Sequence, residues 1–268
     1  RMHLRPAPAL VRHGVRLATM RAVIALVLRE VATTYGRSPG GYLWAVLEPA
    51  AGIALLTLIF SAGFRSPPLG TNFALFYAAG LLPFLMYSDI SGKLGQTIQF
   101  SRALLAYPRV TFLDALMARF LLNMLTQLVV HGLVLGFILV VQKPDTTFEV
   151  AKVAMAYGML LTLALGVGTL NSFLTLAYPV WQTAWAILSR PLFLVSCIFF
   201  NFEIVPQAYA DYLWLNPLVH VVGMMRDGFY PFYQPTYVTV MYPIVLGCGL
   251  GMAGLFLLNR YHRDILDN

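Results

Sequence analysis

The chain has 268 residues, of which 59% are hydrophobic and only 11% are charged, whereas soluble domains are typically about 45–50% apolar and about 25% charged. A water-soluble enzyme or nucleic-acid-binding domain is excluded, because a soluble globule of this size could not bury so much apolar surface. The net charge is +7, from 18 basic and 11 acidic residues. We therefore expect an all-α polytopic membrane protein whose basic residues lie mainly on one side of the bilayer.

Six apolar segments are long enough to cross a bilayer, since a spanning helix needs about 20 residues. Six spans leave no room within these 268 residues for a nucleotide-binding domain. We expect a single transmembrane domain over residues 1–268, with a cytoplasmic leader at 1–42, a six-span core at 43–258 and a cytoplasmic tail at 259–268. The predicted spans are residues 43–64, 73–90, 118–141, 150–176, 184–202 and 237–258.

Two further segments are not predicted to span. In the leader, residues 10–29 have a basic face and an apolar stretch too short to cross, which is typical of an amphipathic helix lying on the inner leaflet. Residues 203–235 are too polar to span, yet they are rich in aromatic side chains. On the outer side, this composition predicts short helices that re-enter the outer leaflet before the last span.

The distribution of Lys and Arg predicts the orientation. With the N-terminus inside, 14 of these residues fall on the inner side and four on the outer side. Cytoplasmic segments carry the excess of Lys and Arg. We therefore expect a multi-pass membrane protein with both termini in the cytoplasm.

Motifs for chemistry within the chain are weak. Gly36, Ser38 and Gly40 form a G-x-S-x-G pattern, but it lies before a span without a suitable base, so a turn is favoured over a protease nucleophile. No Gly-rich phosphate loop is present, and the five histidines lack metal-ligand spacing. We predict neither a catalytic residue nor a metal site.

Glu48 is the most informative charge within a predicted span, because an ionisable group in the membrane usually faces a cavity or a partner. It allows an alternative function, an ion-coupled secondary transporter that uses Glu48. Inverted repeats, which are common in that class, are not visible in this sequence.

The polar stretch from Gln96 to Tyr107 has a helical composition and ends at Pro108. It lies on the predicted cytoplasmic side between the second and third spans. A solvated loop is one interpretation, and a short helix that contacts a cytoplasmic partner is the other.

Three stretches resemble the membrane subunits of ABC-2 type polysaccharide exporters. The first is Glu30 to Pro49, with its Tyr, Ser, Gly and Trp residues before the first span, although Pro39 stands where the family usually has Leu. The resemblance is greatest to the permease of group 2 capsular polysaccharide export. Permeases for O-antigen or teichoic acid are close relatives and remain alternatives. The other two stretches are Tyr107 to Val110 and Asn216 to Tyr230.

The resemblance implies a homodimer of permeases in the bacterial inner membrane that exports lipid-linked polysaccharide. It also implies two cytoplasmic ABC ATPase subunits, which would bind ATP and Mg, while this chain would hold no cofactor. The resemblance is also compatible with periplasmic or outer-membrane export components as partners. Nucleic acid is not expected as a partner. The helix that couples to the ATPase would include Gln96, Gln99, Arg102, Tyr107 and Arg109.

The same resemblance gives candidate substrate contacts. Cations near the inner leaflet would receive an acidic glycolipid at its entrance, and aromatic faces would line the route because sugars stack on rings. Tyr77, Phe84 and Tyr87 share one helical face by their spacing. The cationic candidates are Arg12, Arg16, Arg29 and Arg37, and the aromatic candidates are Trp44, Tyr77, Phe84 and Tyr87.

Overall fold

The computed structural model describes residues 23–28, 41–105, 111–144 and 146–266. Within these ranges every regular element is helical, which confirms the predicted all-α class. A single 3-10 turn, Phe202–Ile204, lies between α7 and α8. The helices are α1 (23–28), α2 (Gly41–Gly63), α3 (Phe73–Gly95), α4 (Thr97–Leu105), α5 (Phe112–Gln142), α6 (Val150–Ala177), α7 (Trp181–Leu194), α8 (Gln207–Trp214), α9 (Pro217–Phe229) and α10 (Met241–Leu266).

Five helices in the described residues are long and apolar enough to cross a membrane: α2, α3, α5, α6 and α10. Their apolar lengths run from 21 to 31 residues, with mean hydropathies of 1.5 to 2.3. These helices confirm the first four and the last of the predicted spans. The third begins earlier than expected, at Phe112, because Thr111 and Asp114 form a capping box there.

The fifth predicted span differs from the expectation. Instead of one long helix over 184–202, α7 has 14 residues and ends at Leu194, so it is about 21 Å long against a hydrocarbon core of about 30 Å. Pro191 lies in its last turns, where the ring removes a backbone donor. Cys197 then takes a positive φ of 57°. Because the apolar run continues past Leu194, the hydropathy pattern did not predict that the helix ends there.

The segment from Trp181 to Asn201 nevertheless runs the length of the bundle. At one end, Trp181 Nε1 donates to Asn171 Oδ1 on α6 at 3.0 Å. At the other, Asn201 Nδ2 donates to the carbonyl of Pro68, between α2 and α3, at 3.2 Å. We call the first end the α4 end, since Gln99 of α4 donates to the nearby Thr175 carbonyl. The second is the loop end.

The loop end is held together by hydrogen bonds between connections. The amide of Glu149 donates to the Gly228 carbonyl at 2.9 Å, and the Thr146 hydroxyl bonds to the Phe229 carbonyl. These contacts fix α9 beside the start of α6. The two short helices α8 and α9 lie in the aromatic segment where short helices were predicted.

α3 is the centre of the molecule. Within its most apolar window 78% of residues are buried, against 11% for α2 and 22% for α10. It packs against α2, α5, α6 and α9. Its start is fixed by Asn72, whose side chain accepts from the Leu75 amide. α2 and α7 lie at its flanks and stay largely exposed.

Arg226 of α9 is fully buried and supports the non-helical end of the segment from Trp181 to Asn201. Its guanidinium donates to the carbonyls of Ile198 and Phe200, each at 2.9 Å, and to Asn201 Oδ1 at 3.2 Å. It also lies over the ring of Phe76, 4.1 Å from the centroid. Buried backbone carbonyls need donors. Arg226 therefore supplies what helical hydrogen bonds supply elsewhere.

The variant Arg226→Lys tests this role. An ammonium cannot reproduce the planar fork of donors, so at least one carbonyl loses its partner. We expect the free energy of unfolding to fall by about 2 kcal/mol or more, measured as a lower Tm of the detergent-solubilised protein. Arg65→Lys, at an exposed loop position, is the control. An equal Tm for both variants would contradict the role.

Helices α6 and α10 touch through glycines. A Cβ at Gly166 would overlap the Gly247 carbonyl, and a Cβ at Gly247 would meet the Thr162 carbonyl oxygen at 2.5 Å. Such small residues let helix backbones approach closely in a membrane. Gly247 and Gly251 have the G-x-x-x-G spacing that permits this kind of contact. The other such pair, Gly132 and Gly136, faces open space instead.

We expect Gly247→Ala to destabilise the protein by about 1–3 kcal/mol, because the added methyl meets rigid backbone. Gly249→Ala is a matched control on the same helix, since a Cβ there meets nothing within 4 Å. Thermal unfolding in detergent compares the two. A Gly247→Ala protein as stable as Gly249→Ala would show that the α6–α10 contact tolerates a wider separation.

Candidate functional site

Two adjacent cavities open on either side of α3, in its half toward the α4 end. The α7 cavity, of about 580 Å³, lies between α3, α6 and α7. The α2 cavity, of about 550 Å³, lies between α2, α3 and α5. Ser88, Gly92 and Gln96 line both cavities. Together the two cavities form one groove, which we call the α3 groove.

The floor of the groove follows from the sequence of α3. Ser88, Gly92 and Gln96 recur every four residues, so they lie on one face of the helix. Small and polar side chains on that face leave space, while the rest of α3 is buried against its neighbours. A Cβ at Gly92 would meet nothing within 4 Å. The groove is therefore wide at this point.

The α2 cavity carries a network of polar side chains. Lys93 Nζ forms an ion pair with Asp89 Oδ2 at 2.9 Å, one helical turn away. Gln127 Nε2 of α5 donates to the same carboxylate oxygen at 2.9 Å. Trp44 and Glu48 of α2 complete the lining. The wall thus offers amide and carboxylate groups beside a broad aromatic face.

The α7 cavity is more aromatic. Phe84 and Phe193 meet edge to face, with centroids 5.2 Å apart, and Trp185 stacks on Trp181. Asn171 also lines this cavity, and its buried Nδ2 has no hydrogen-bond partner. Aromatic walls with a few polar groups are typical of ligand sites.

Glu48 and Arg190 face the groove from opposite flanks. Glu48 lines the α2 cavity and Arg190 lines the α7 cavity. Both side chains are exposed. Neither forms an ion pair or hydrogen bond within the described part of the chain.

At the loop end, a second polar cluster lies beneath Arg226. Tyr233 donates to Glu203 Oε2 at 3.2 Å, and its hydroxyl lies 3.3 Å from that of Tyr237. Burial raises the pKa of the Tyr233 phenol well above its ordinary value. Tyr233 therefore stays protonated and keeps its bond to Glu203, which stabilises the turn before α8.

α4 is a short amphipathic helix at the α4 end. Ile98 and Ser101 are buried, while Gln99 and Phe100 are exposed. The guanidinium of Arg119 lies over the Phe100 ring, 4.4 Å from its centroid. The expected helix after the second span is thus confirmed at Thr97–Leu105.

The proposed coupling residues fall at the start of this helix and beyond it. Gln96 caps α3, and both Gln96 and Gln99 are exposed at the α4 end. Arg102 lies on α4. Tyr107 and Arg109 lie outside the described residues.

The described residues do not include the cationic candidates Arg12, Arg16, Arg29 and Arg37. They also exclude Ser38 and most of the interfacial helix expected at 10–29. Residues 23–28 are helical.

The aromatic candidates divide into two groups. Trp44 is 66% exposed and lines the α2 cavity, and Phe84 lines the α7 cavity. Tyr77 and Tyr87 are buried and line neither of these cavities. Tyr77 packs among three phenylalanine rings on α2 and α3, which are Phe60, Phe73 and Phe76.

Sequence reasoning missed several groove residues. Gln127, Trp185 and Phe193 line the cavities but lie within apolar runs that gave no local signal. The recurring small or polar residues Ser88, Gly92 and Gln96 did offer one. A polar stripe every four residues in an otherwise apolar helix indicates a face turned away from lipid. In the described residues, no three His, Cys, Asp or Glu side chains come together as metal ligands.

The five long apolar helices are those of a multi-pass membrane protein. The family profile of the ABC-2 type transporters matches residues 21–230. The chain therefore belongs to the ABC-2 type transporter family. It is a membrane permease subunit, and the ATPase of such a transporter is a separate component.

Individual relatives match most of the chain. It is 34% identical to the polysialic acid transport protein KpsM of Escherichia coli over 223 residues, covering 82% of this chain and 85% of that protein. It is 26% identical to the capsule polysaccharide export inner-membrane protein BexB of Haemophilus influenzae, covering 91% and 92%. The similar protein CtrC of Neisseria meningitidis serogroup A is 24% identical, covering 93% and 94%.

Proposed function

We propose that this chain is the inner-membrane permease of an ATP-driven exporter that moves lipid-linked capsular polysaccharide out of the cytoplasm. The observation that carries the proposal is the similarity to capsule and polysialic acid export proteins over most of both chains. The α3 groove supports it, because its aromatic and amide walls suit a glycan. Export of O-antigen or teichoic acid by the same fold remains the alternative substrate class.

The proposed topology has six crossings with both termini in the cytoplasm. Five long helices alone would put the termini on opposite sides. The segment from Trp181 to Asn201 supplies the sixth crossing, since its hydrogen bonds join opposite ends of the bundle. The α4 end is then cytoplasmic, and α8 and α9 lie at the outer leaflet.

The proposed assembly is a homodimer with two cytoplasmic ATPase subunits. One copy presents an open groove between α2 and α7, and both flanking helices are largely exposed. A second copy facing this side would close two grooves into a passage. In the passage, Trp44 and Phe84 would contact sugars. Tyr77 and Tyr87, which are buried, would pack α3 against the neighbouring helices.

α4 is proposed as the coupling helix. It is short, it lies at the cytoplasmic end, and its Gln99 side chain ties it to α6. Movement of an ATPase against Gln96, Gln99 and Phe100 would thus be transmitted to α3 and α6, which line the α7 cavity. ATP and Mg would be bound by the ATPase partner. Arg12, Arg16, Arg29 and Arg37 are proposed to receive the acidic, phosphate-bearing end of the glycolipid at the inner leaflet.

Mild extraction from the native membrane tests the assembly. We expect a soluble subunit with a phosphate-binding loop to co-purify in a one-to-one ratio with this chain, together with ATPase activity. Mass spectrometry and an ATPase assay measure the two. Repeated recovery of the chain alone and inactive would favour the ion-coupled alternative based on Glu48.

A side chain that fills the groove tests the route. Gly92→Trp has room for its ring, so we expect normal folding but loss of surface polysaccharide to the background level. Gly158→Trp is the control, because Gly158 is exposed on α6 with open space around it. Surface glycan and Tm are measured for both. Full export by a stably folded Gly92→Trp protein would exclude the groove as the route.

A further inference from the structure

Glu48 and Arg190 are the unusual charges of this molecule. They lie on exposed surfaces of helices α2 and α7. Glu48 falls within an apolar helix long enough to span the membrane, and Arg190 falls within the sixth crossing proposed above. Neighbouring charges are neutralised, as Asp89 is by Lys93. Glu48 and Arg190 have no such partner within the described residues. Each lines the rim of a cavity that is open in a single copy, and a charge at membrane depth needs a partner or water.

The two charges lie at similar depths. Glu48 is seven residues into α2, and Arg190 is nine residues into α7. At 1.5 Å per residue they lie about 10 Å and about 14 Å from the starts of their helices. Both starts are at the same end, since Trp44 and Gln182 each line a cavity that reaches Gln96. The long side chains can span the small difference.

We propose that Glu48 of one copy forms an ion pair with Arg190 of a second copy, and that this pair occurs twice across a two-fold interface. The proposal rests on the homodimer proposed above. A two-fold axis along the membrane normal preserves depth and exchanges the flanks of α3. The acidic flank of one copy then faces the basic flank of the other, which makes this surface self-complementary.

The exposure of α2 and α7 in a single copy agrees with a second copy packing against them. Only 11% of the apolar window of α2 is buried in one copy, and no residue of α7 is buried. Desolvating an ion pair is unfavourable, but leaving one buried charge without its partner is worse. Replacing both residues by neutral ones should therefore be less harmful than replacing either alone.

Charge reversal tests the pair in the full permease–ATPase complex. We expect Glu48→Arg and Arg190→Glu each to lower the recovered dimer by about tenfold or more, because like charges then face each other. The double variant, Glu48→Arg with Arg190→Glu, should recover most of the dimer. Dimer is measured by native mass spectrometry. A double variant as defective as the single ones would overturn the proposal.

Cross-linking tests proximity without relying on stability. One tagged copy carries Glu48→Cys and a second carries Arg190→Cys, both lacking the native Cys197 and Cys248. A bifunctional thiol reagent is needed, since an ion pair holds the backbones further apart than a disulfide allows. We expect the linked heterodimer in membranes. The control replaces Glu48→Cys by Leu58→Cys, an exposed position ten residues further along α2.

The proposed ion pair would be overturned if Leu58→Cys cross-linked as well as Glu48→Cys. It would also be overturned if Glu48→Cys gave no cross-link in an intact dimer. If only Arg190→Gln impairs export while Glu48→Gln does not, Arg190 binds the anionic glycan instead and the proposal fails. Failure of the proposed function is a separate result, because the cross-link requires neither an ATPase nor a glycan.

Discussion

Every backbone polar group in the hydrocarbon must find a partner within the protein, and the segment that begins at Trp181 meets this constraint in two ways. Helical bonds serve its first 14 residues, and the Arg226 guanidinium serves the carbonyls that follow. Gly80 permits this arrangement, because a Cβ there would press on Ile198 and Arg226. The position of α9, the end of α7 and the surface of α3 therefore depend on one buried cation.

The groove depends on how little of α7 is packed. α7 has no buried residue, and the hydrogen bond from Trp181 Nε1 to Asn171 Oδ1 joins its start to α6 rather than to α3. Space therefore remains between α7 and α3 toward the α4 end. The stripe of Ser88, Gly92 and Gln96 lines that space and keeps it open and polar.

Much of the fold was predictable from local signals. Five spans carry continuous apolar runs, and caps such as Asn72 and Thr111 mark where helices begin. The end of α7 was not predictable, because Pro191 also fits a kinked span and the partner that stabilises the break, Arg226, is distant in sequence. A shared helical face was a weaker guide to the groove. Of the three residues placed on one face of α3, Phe84 lines the groove, whereas Tyr77 and Tyr87 are buried against neighbouring helices. Trp44, on α2, also lines it.

The unequal burial of the helices bears on the assembly. A monomer surrounded by lipid could expose the apolar face of α2 at no penalty. It is less suited to a carboxylate there and a guanidinium on the opposite flank that have no partner among the described residues. Water alone would hydrate both charges without explaining why they have opposite signs at similar depths. A second copy explains the opposite signs of Glu48 and Arg190, their similar depths and their placement on opposite flanks of α3. The same contact would convert two open grooves into a passage, so the pairing and the transport route share one surface.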